Sequence, residues 1–119
     1  MGAIAGTLEY MSPEQLDPAV TVPSINWDIW ALGVISYEML TGTRPFAGAD
    51  VIAIGTAIRH GNFVPVSVNM PDAPDRLSRL YQRVFSLHPE CRPTSAMALL
   101  EDLAAAFPER VPLNRVATP

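Results

Sequence analysis

The chain has 119 residues, about one domain, with 49% hydrophobic and 17% charged side chains and twelve prolines. A formal net charge of −4 argues against a nucleic-acid partner, which needs a basic footprint, and the single cysteine, Cys91, excludes an internal disulfide. The longest stretch without Asp, Glu, Lys or Arg is twelve residues, His60 to Pro71, too short and too rich in proline to cross a membrane.

Along the chain, residues 1–12 show no helical period and read as an irregular or extended loop. Ser12-Pro13-Glu14-Gln15 reads as a helix start, with Ser12 as N-cap, Pro13 first in the helix and Gln15 at the reciprocal capping position. Asp17-Pro18 stops that helix early. Residues 26–41 give the strongest helix, with Asn26 as cap, Asp28 in the first turn and Gly42 after the end. Its middle is apolar or small on every side, which marks a buried central helix over about residues 27–40.

An amphipathic helix follows from Asp50, with Val51, Ile54, Gly55 and Ile58 on one face. The segment NFVPVSVNMP reads as an extended loop, because Pro65 interrupts its alternating valines. From Pro74, Leu77, Leu80, Tyr81, Val84 and Phe85 make a stripe opposite Arg76, Arg79 and Arg83. The last helix is capped by Thr94 and carries the stripe Met97, Leu100, Leu103, Ala104 and Phe107. The division expected is a loop at 1–12, a helical body at 13–107 and a Pro-punctuated tail at 108–119. The fold class is all-α.

All eight basic side chains are arginine. The absence of lysine removes Schiff-base chemistry and a phosphate-gripping lysine from these residues. There is no G-x-G-x-x-G and no G-x-S-x-G. His60 and His88 stand apart and read as helix-end residues facing carbonyl dipoles. Glu9 and Glu14 have no companion nucleophile for acid–base work. Cys91 reads as a small loop side chain, and Trp27 and Trp30 as packing anchors.

GTLEYMSPEQ resembles the end of the activation segment of a eukaryotic-like serine/threonine protein kinase of the bacterial type. DIWALGVISYEMLTGTRPF is similar to the central helix of the kinase C-terminal lobe, and LYQRVFSLHPECRPTSAMALLEDL to its last two helices. The three pieces follow one another in the family's order over about residues 2–106. The resemblance implies a C-terminal-lobe fragment of the protein-kinase fold, from a family that transfers the ATP γ-phosphate to protein Ser or Thr with Mg²⁺.

It also implies roles for single residues. Gly6, Thr7, Tyr10 and Met11 match the loop that receives the residue after the phosphoacceptor. Read alone, Thr7 is a loop threonine making a local turn bond. Glu14 and Arg92 match a structural ion pair, suited to the planar fork of arginine. Asp28 matches the aspartate that holds the catalytic loop, and without that loop it compensates the helix dipole.

The family's Gly-rich loop, lysine, H-R-D-x-x-x-x-N and D-F-G are absent from this sequence. No catalytic, cofactor-binding or metal-binding residue is therefore assigned, and the chain alone is expected to be a truncated, inactive kinase piece. A non-catalytic helical interaction module is the alternative. The partners expected are a protein substrate or a complementary kinase N-terminal portion, with self-association as a further outcome. No secretory signal pattern is seen, and a cytoplasmic location is expected.

Overall fold

The computed structural model describes residues 8–20 and 22–108. Their elements are a 3₁₀ turn at Glu14–Leu16, α1 at Ile25–Thr41, α2 at Val51–His60, α3 at Val66–Asn69, α4 at Asp75–Val84, a second 3₁₀ turn at Pro89–Cys91, and α5 at Ala96–Ala106. Among the described residues there is no strand, and the fold class is all-α.

Helix ends follow local side-chain chemistry, though not always at the expected residue. Ser24, in extended backbone, accepts the Asn26 N–H at 3.1 Å and caps α1. The cap is therefore Ser24 and not Asn26, whose carbonyl is used elsewhere. Gly42 closes α1 at φ +76°, a left-handed conformation that glycine adopts without a Cβ clash, and its N–H meets the Glu38 carbonyl at 2.7 Å. Asp50 caps α2 through the Ala53 N–H at 2.8 Å. Ser95, not Thr94, caps α5 through the Ala98 N–H at 3.0 Å.

The first turn is only a 3₁₀ turn, and its cap residue is Pro13. Gln15 makes the return half of the capping box, its Oε1 accepting the Ser12 N–H at 2.8 Å, whereas the Ser12 hydroxyl makes no cap bond. The stretch expected as an extended loop contains α3. Val64 is the extended part, donating its N–H to the Pro45 carbonyl at 2.8 Å. Pro65 then opens a single helical turn, which the buried Val66 pins to the core.

α1 packs against α3, α4 and α5, and α4 packs against α3 and α5. Ile29, Trp30, Val34 and Tyr37 of α1 are fully buried. All five residues of the α4 stripe are buried as well. Phe85 is the hub, with ring centroids 5.1 Å from Trp30, Phe46 and Phe63 and 5.7 Å from Tyr81. The buried tyrosines and their neighbours pair their hydroxyls, whereas the Trp30 indole N–H and the Ser12 hydroxyl are buried without a hydrogen-bond partner among the described residues. The Tyr37 hydroxyl donates to the Val64 carbonyl at 2.6 Å and accepts from Asn69 Nδ2 at 3.0 Å, and the Ser36 and Tyr81 hydroxyls meet at 2.8 Å. Burial pushes the Tyr81 pKa up to about 12.

Two apolar patterns have a different fate from the one their period implies. In α5 the buried residues are Leu99 and Ala106, while Met97 and Leu100 of the expected stripe are 63% and 54% exposed. In α1 the faces are unequal: Ile35, Met39 and Leu40 are exposed, Met39 by 81%. Between them Met39, Leu40, Met70, Leu100, Leu103 and Phe107 line a groove of about 510 Å³. An apolar stripe records a tendency to be covered, and the described residues leave this one open.

Gly33 sits where α1 meets α4. A Cβ there would overlap Val84 Cγ1 and stand 3.2 Å from Phe85 Cε1. Gly33→Ala is expected to destabilise the chain by about 1–3 kcal/mol through overpacking. Urea unfolding followed by circular dichroism checks this, and an unchanged midpoint would refute the tight α1–α4 approach.

Candidate functional site

The segment Leu8–Leu16 has little regular structure of its own and is held by contacts distant in sequence. Leu8 is 8% exposed and belongs to the main core. A turn bond from the Met11 N–H to the Leu8 carbonyl, 3.0 Å, folds the loop, and the half-buried Tyr10 and Met11 pack on the core. Gly6 and Thr7, expected in the same loop, lie outside the described residues.

Glu14 and Arg92 meet in a two-pronged bond. Arg92 Nη1 donates to Glu14 Oε2 at 2.8 Å and Nη2 to Oε1 at 2.7 Å. The remaining donors of Arg92 are also engaged: Nε and Nη2 reach the Ser86 carbonyl at 3.1 and 3.0 Å, and Nη1 reaches the Asn26 carbonyl at 3.4 Å. The guanidinium lies 4.9 Å from the Trp30 ring. Its side chain is fully buried and that of Glu14 is 19% exposed. Burial pushes the Glu14 pKa up, but the Arg92 bonds and a backbone N–H outweigh it, so the carboxyl sits below its ordinary value.

A second ion pair ties the front of the loop. Arg44 Nη1 lies 2.5 Å from Oε2 of the buried Glu9, and Arg44 Nε lies 3.9 Å from Glu38 Oε1. The Glu38 carboxylate beside the Tyr10 hydroxyl raises its pKa, with burial adding to the shift. Glu9 and Glu14 thus serve separate arginines and form no carboxylate pair. Arg44 is the residue that sequence reading missed: nothing local distinguishes it, and its partner lies 35 positions away.

The other candidates take plain positions. Asp28 is exposed in the first turn of α1, where a negative charge suits the dipole. His60 ends α2, and His88 stands before the second 3₁₀ turn, 3.7 Å from Glu90. Cys91 is exposed while its neighbour Arg92 turns inward. Trp30 is fully buried and Trp27 half-buried. Among the described residues no three His, Cys, Asp or Glu side chains converge as a metal site, and no helix is long and apolar enough to cross a membrane.

The family described as "Protein kinase domain" matches residues 1–103. The chain is 35% identical, over 92% of its length, to the serine/threonine-protein kinase pkn3 of Myxococcus xanthus, and covers 20% of that protein. It is 32% identical, over 96% of its length, to the serine/threonine-protein kinase PknL of Mycobacterium tuberculosis, covering 30% of it. It is also 32% identical, over 92% of its length, to the tyrosine-protein kinase MasK of Myxococcus xanthus, covering 17% of it. The chain therefore spans less than a third of the length of each of these relatives.

Glu14→Ala strands a buried cation and is expected to cost about 3–5 kcal/mol. Because its folded pKa is lowered, Glu14 contributes stability that is fully present above its ordinary value of 4.5 and lost as pH falls through the folded value. Urea unfolding at neutral pH and well below pH 4.5 should show the wild-type advantage over Glu14→Ala shrinking with acid. Arg92→Lys, which keeps charge but not the fork, should fall between the two. A pH-independent difference would defeat the ion-pair assignment.

Proposed function

The chain belongs to the protein kinase domain family, and from that premise we propose that Leu8–Leu16 is a seat for a protein substrate's Ser or Thr during phosphoryl transfer from ATP. The observation that carries this reading is the double anchorage of an otherwise irregular loop, by Glu14 on Arg92 and Glu9 on Arg44. Such a loop is held rigidly enough to present a peptide while its Tyr10 and Met11 side chains stay partly accessible.

In the reaction, the substrate hydroxyl oxygen attacks the γ-phosphorus, the bond to the β–γ bridging oxygen breaks, and ADP departs. The hydroxyl proton passes to a carboxylate base. The chain's own contribution is placement, which in this chemistry accounts for much of the catalysis. With no lysine, no Gly-rich phosphate loop and no catalytic Asp–Asn pair in these residues, nucleotide and Mg²⁺ are held by another segment, of the same polypeptide or of a separate one.

The groove between α1 and α5 supports that division of labour. Met39, Leu100, Leu103 and Phe107 offer an apolar trough for a helix, and these relatives are more than three times as long as the stretch that this chain matches. The occupant we assign is an apolar helix face from the complementary N-terminal kinase portion that the family resemblance implies.

Isothermal titration of the 119-residue chain alone should show no saturable Mg²⁺-ATP binding at micromolar concentration; such binding would overturn the division.

Adding the N-terminal kinase portion of the PknL relative should give a one-to-one complex by sedimentation, and Leu100→Glu should abolish it. Two folded pieces that ignore each other would instead favour a free-standing interaction module.

A further inference from the structure

Three of the chain's eight arginines lie on one face of α4. Arg76, Arg79 and Arg83 sit at intervals of three and four residues, so their side chains stack along about 10 Å of helix. They open onto a cleft of about 290 Å³ between α4 and α5, floored by the buried Leu80 and closed on one side by Asp102.

Asp102 organises this cleft from both ends. Its Oδ2 is 3.1 Å from Arg83 Nη1 and its Oδ1 is 3.5 Å from Arg76 Nη2. The two outer guanidiniums are thereby held over one carboxylate, with Arg79 between them. Among the described residues Arg79 has no carboxylate within ion-pair distance, and Glu101, next to Asp102, does not line the cleft. The lining thus carries three positive charges against one negative, in a chain whose net charge is −4. The arginine forks are half-exposed, 55% for Arg76 and 51% for Arg83, so a ligand reaches them from solvent.

We propose that this α4–α5 cleft is a docking site for a phosphomonoester carried on a protein side chain, with Arg79 as the principal contact and Arg76 and Arg83 as flanking donors. A phosphomonoester carries about −1.5 to −2 charges at neutral pH and three acceptor oxygens, which matches the surplus of two cations and the forked donors. The overall negative charge of the chain disfavours an extended nucleic-acid backbone. The cleft is too open to enclose a free ion, so flanking peptide contacts have to supply part of the affinity. The site lies on α4 and α5, apart from the Leu8–Leu16 loop, and does not depend on the chain's part in phosphoryl transfer.

The test is NMR titration of the full chain with a phosphoserine peptide, the same peptide unphosphorylated, inorganic phosphate, and phosphatidylserine-containing vesicles. Support is a response of α4 and α5 amides to the phosphopeptide that is stronger than to inorganic phosphate and weakens with salt. Arg79→Gln should weaken it about three- to fivefold, the scale of one exposed ion pair. Asp102→Asn removes the internal competitor and should tighten it, an effect that a purely structural Arg–Asp cluster would not give. Equal response to both peptides, a response indifferent to Arg79→Gln, a loss of binding in Asp102→Asn, or Arg79-dependent binding to the vesicles alone would each overturn the proposal.

Discussion

The Glu14–Arg92 bond is the constraint on which the arrangement of the chain depends. Arg92 is a buried cation, and a buried cation is tolerated only when its donors are satisfied. Its acceptors come from three places: the loop at Glu14, the carbonyl of Asn26 in the first turn of α1, and the carbonyl of Ser86 just past α4. One side chain therefore fixes the loop, the central helix and the α4 exit relative to one another. The Trp30 ring against the guanidinium adds a fourth restraint and keeps water away from the charge.

The aromatic hub works beside this polar one. Trp30 touches both, since its ring lies against Arg92 and 5.1 Å from Phe85. Phe85 in turn gathers Phe46 from the segment after α1 and Phe63 from the segment after α2. The loops are thus ordered by side chains that reach inward, and the helices supply the wall they reach. Glu9 on Arg44 repeats the principle at the other end of the candidate site, with one partner buried and the other half-exposed.

Helical segments with a single sharp stripe were legible from sequence. The α4 stripe was read correctly because arginines occupy its far side, leaving one possible buried face. α1 and α5 are apolar or small on several faces, so period alone does not say which is covered. In α5 the covered residues proved to be Leu99 and Ala106. α3 was hidden because a one-turn helix has no period to detect, and because Pro65, which argues against a strand, also suits a helix entry. Caps shifted by one or two residues wherever two hydroxyl or amide side chains stood close together, as at Ser24 and Asn26 or at Thr94 and Ser95. In the site, Glu14 and Arg92 were named through the family resemblance and not through spacing. Glu9 and Arg44 carried no such mark, because ion pairs between distant loops leave no local pattern.

The two ends of the Glu14–Arg92 bond are separated by 78 positions. A ribosome makes the loop before its anchor and delivers Arg92 only after α1, α2, α3 and α4 have left the exit tunnel. During that interval the nascent loop has no arginine to hold it, and α1 has no α5 beside it. Closing a loop this long carries a large entropy cost that local helix formation does not. The helices can form as they emerge, whereas the loop at Leu8–Leu16 is locked only when Arg92 arrives. Any interruption of synthesis between α4 and the second 3₁₀ turn would release a chain with most of its helices and none of its loop geometry.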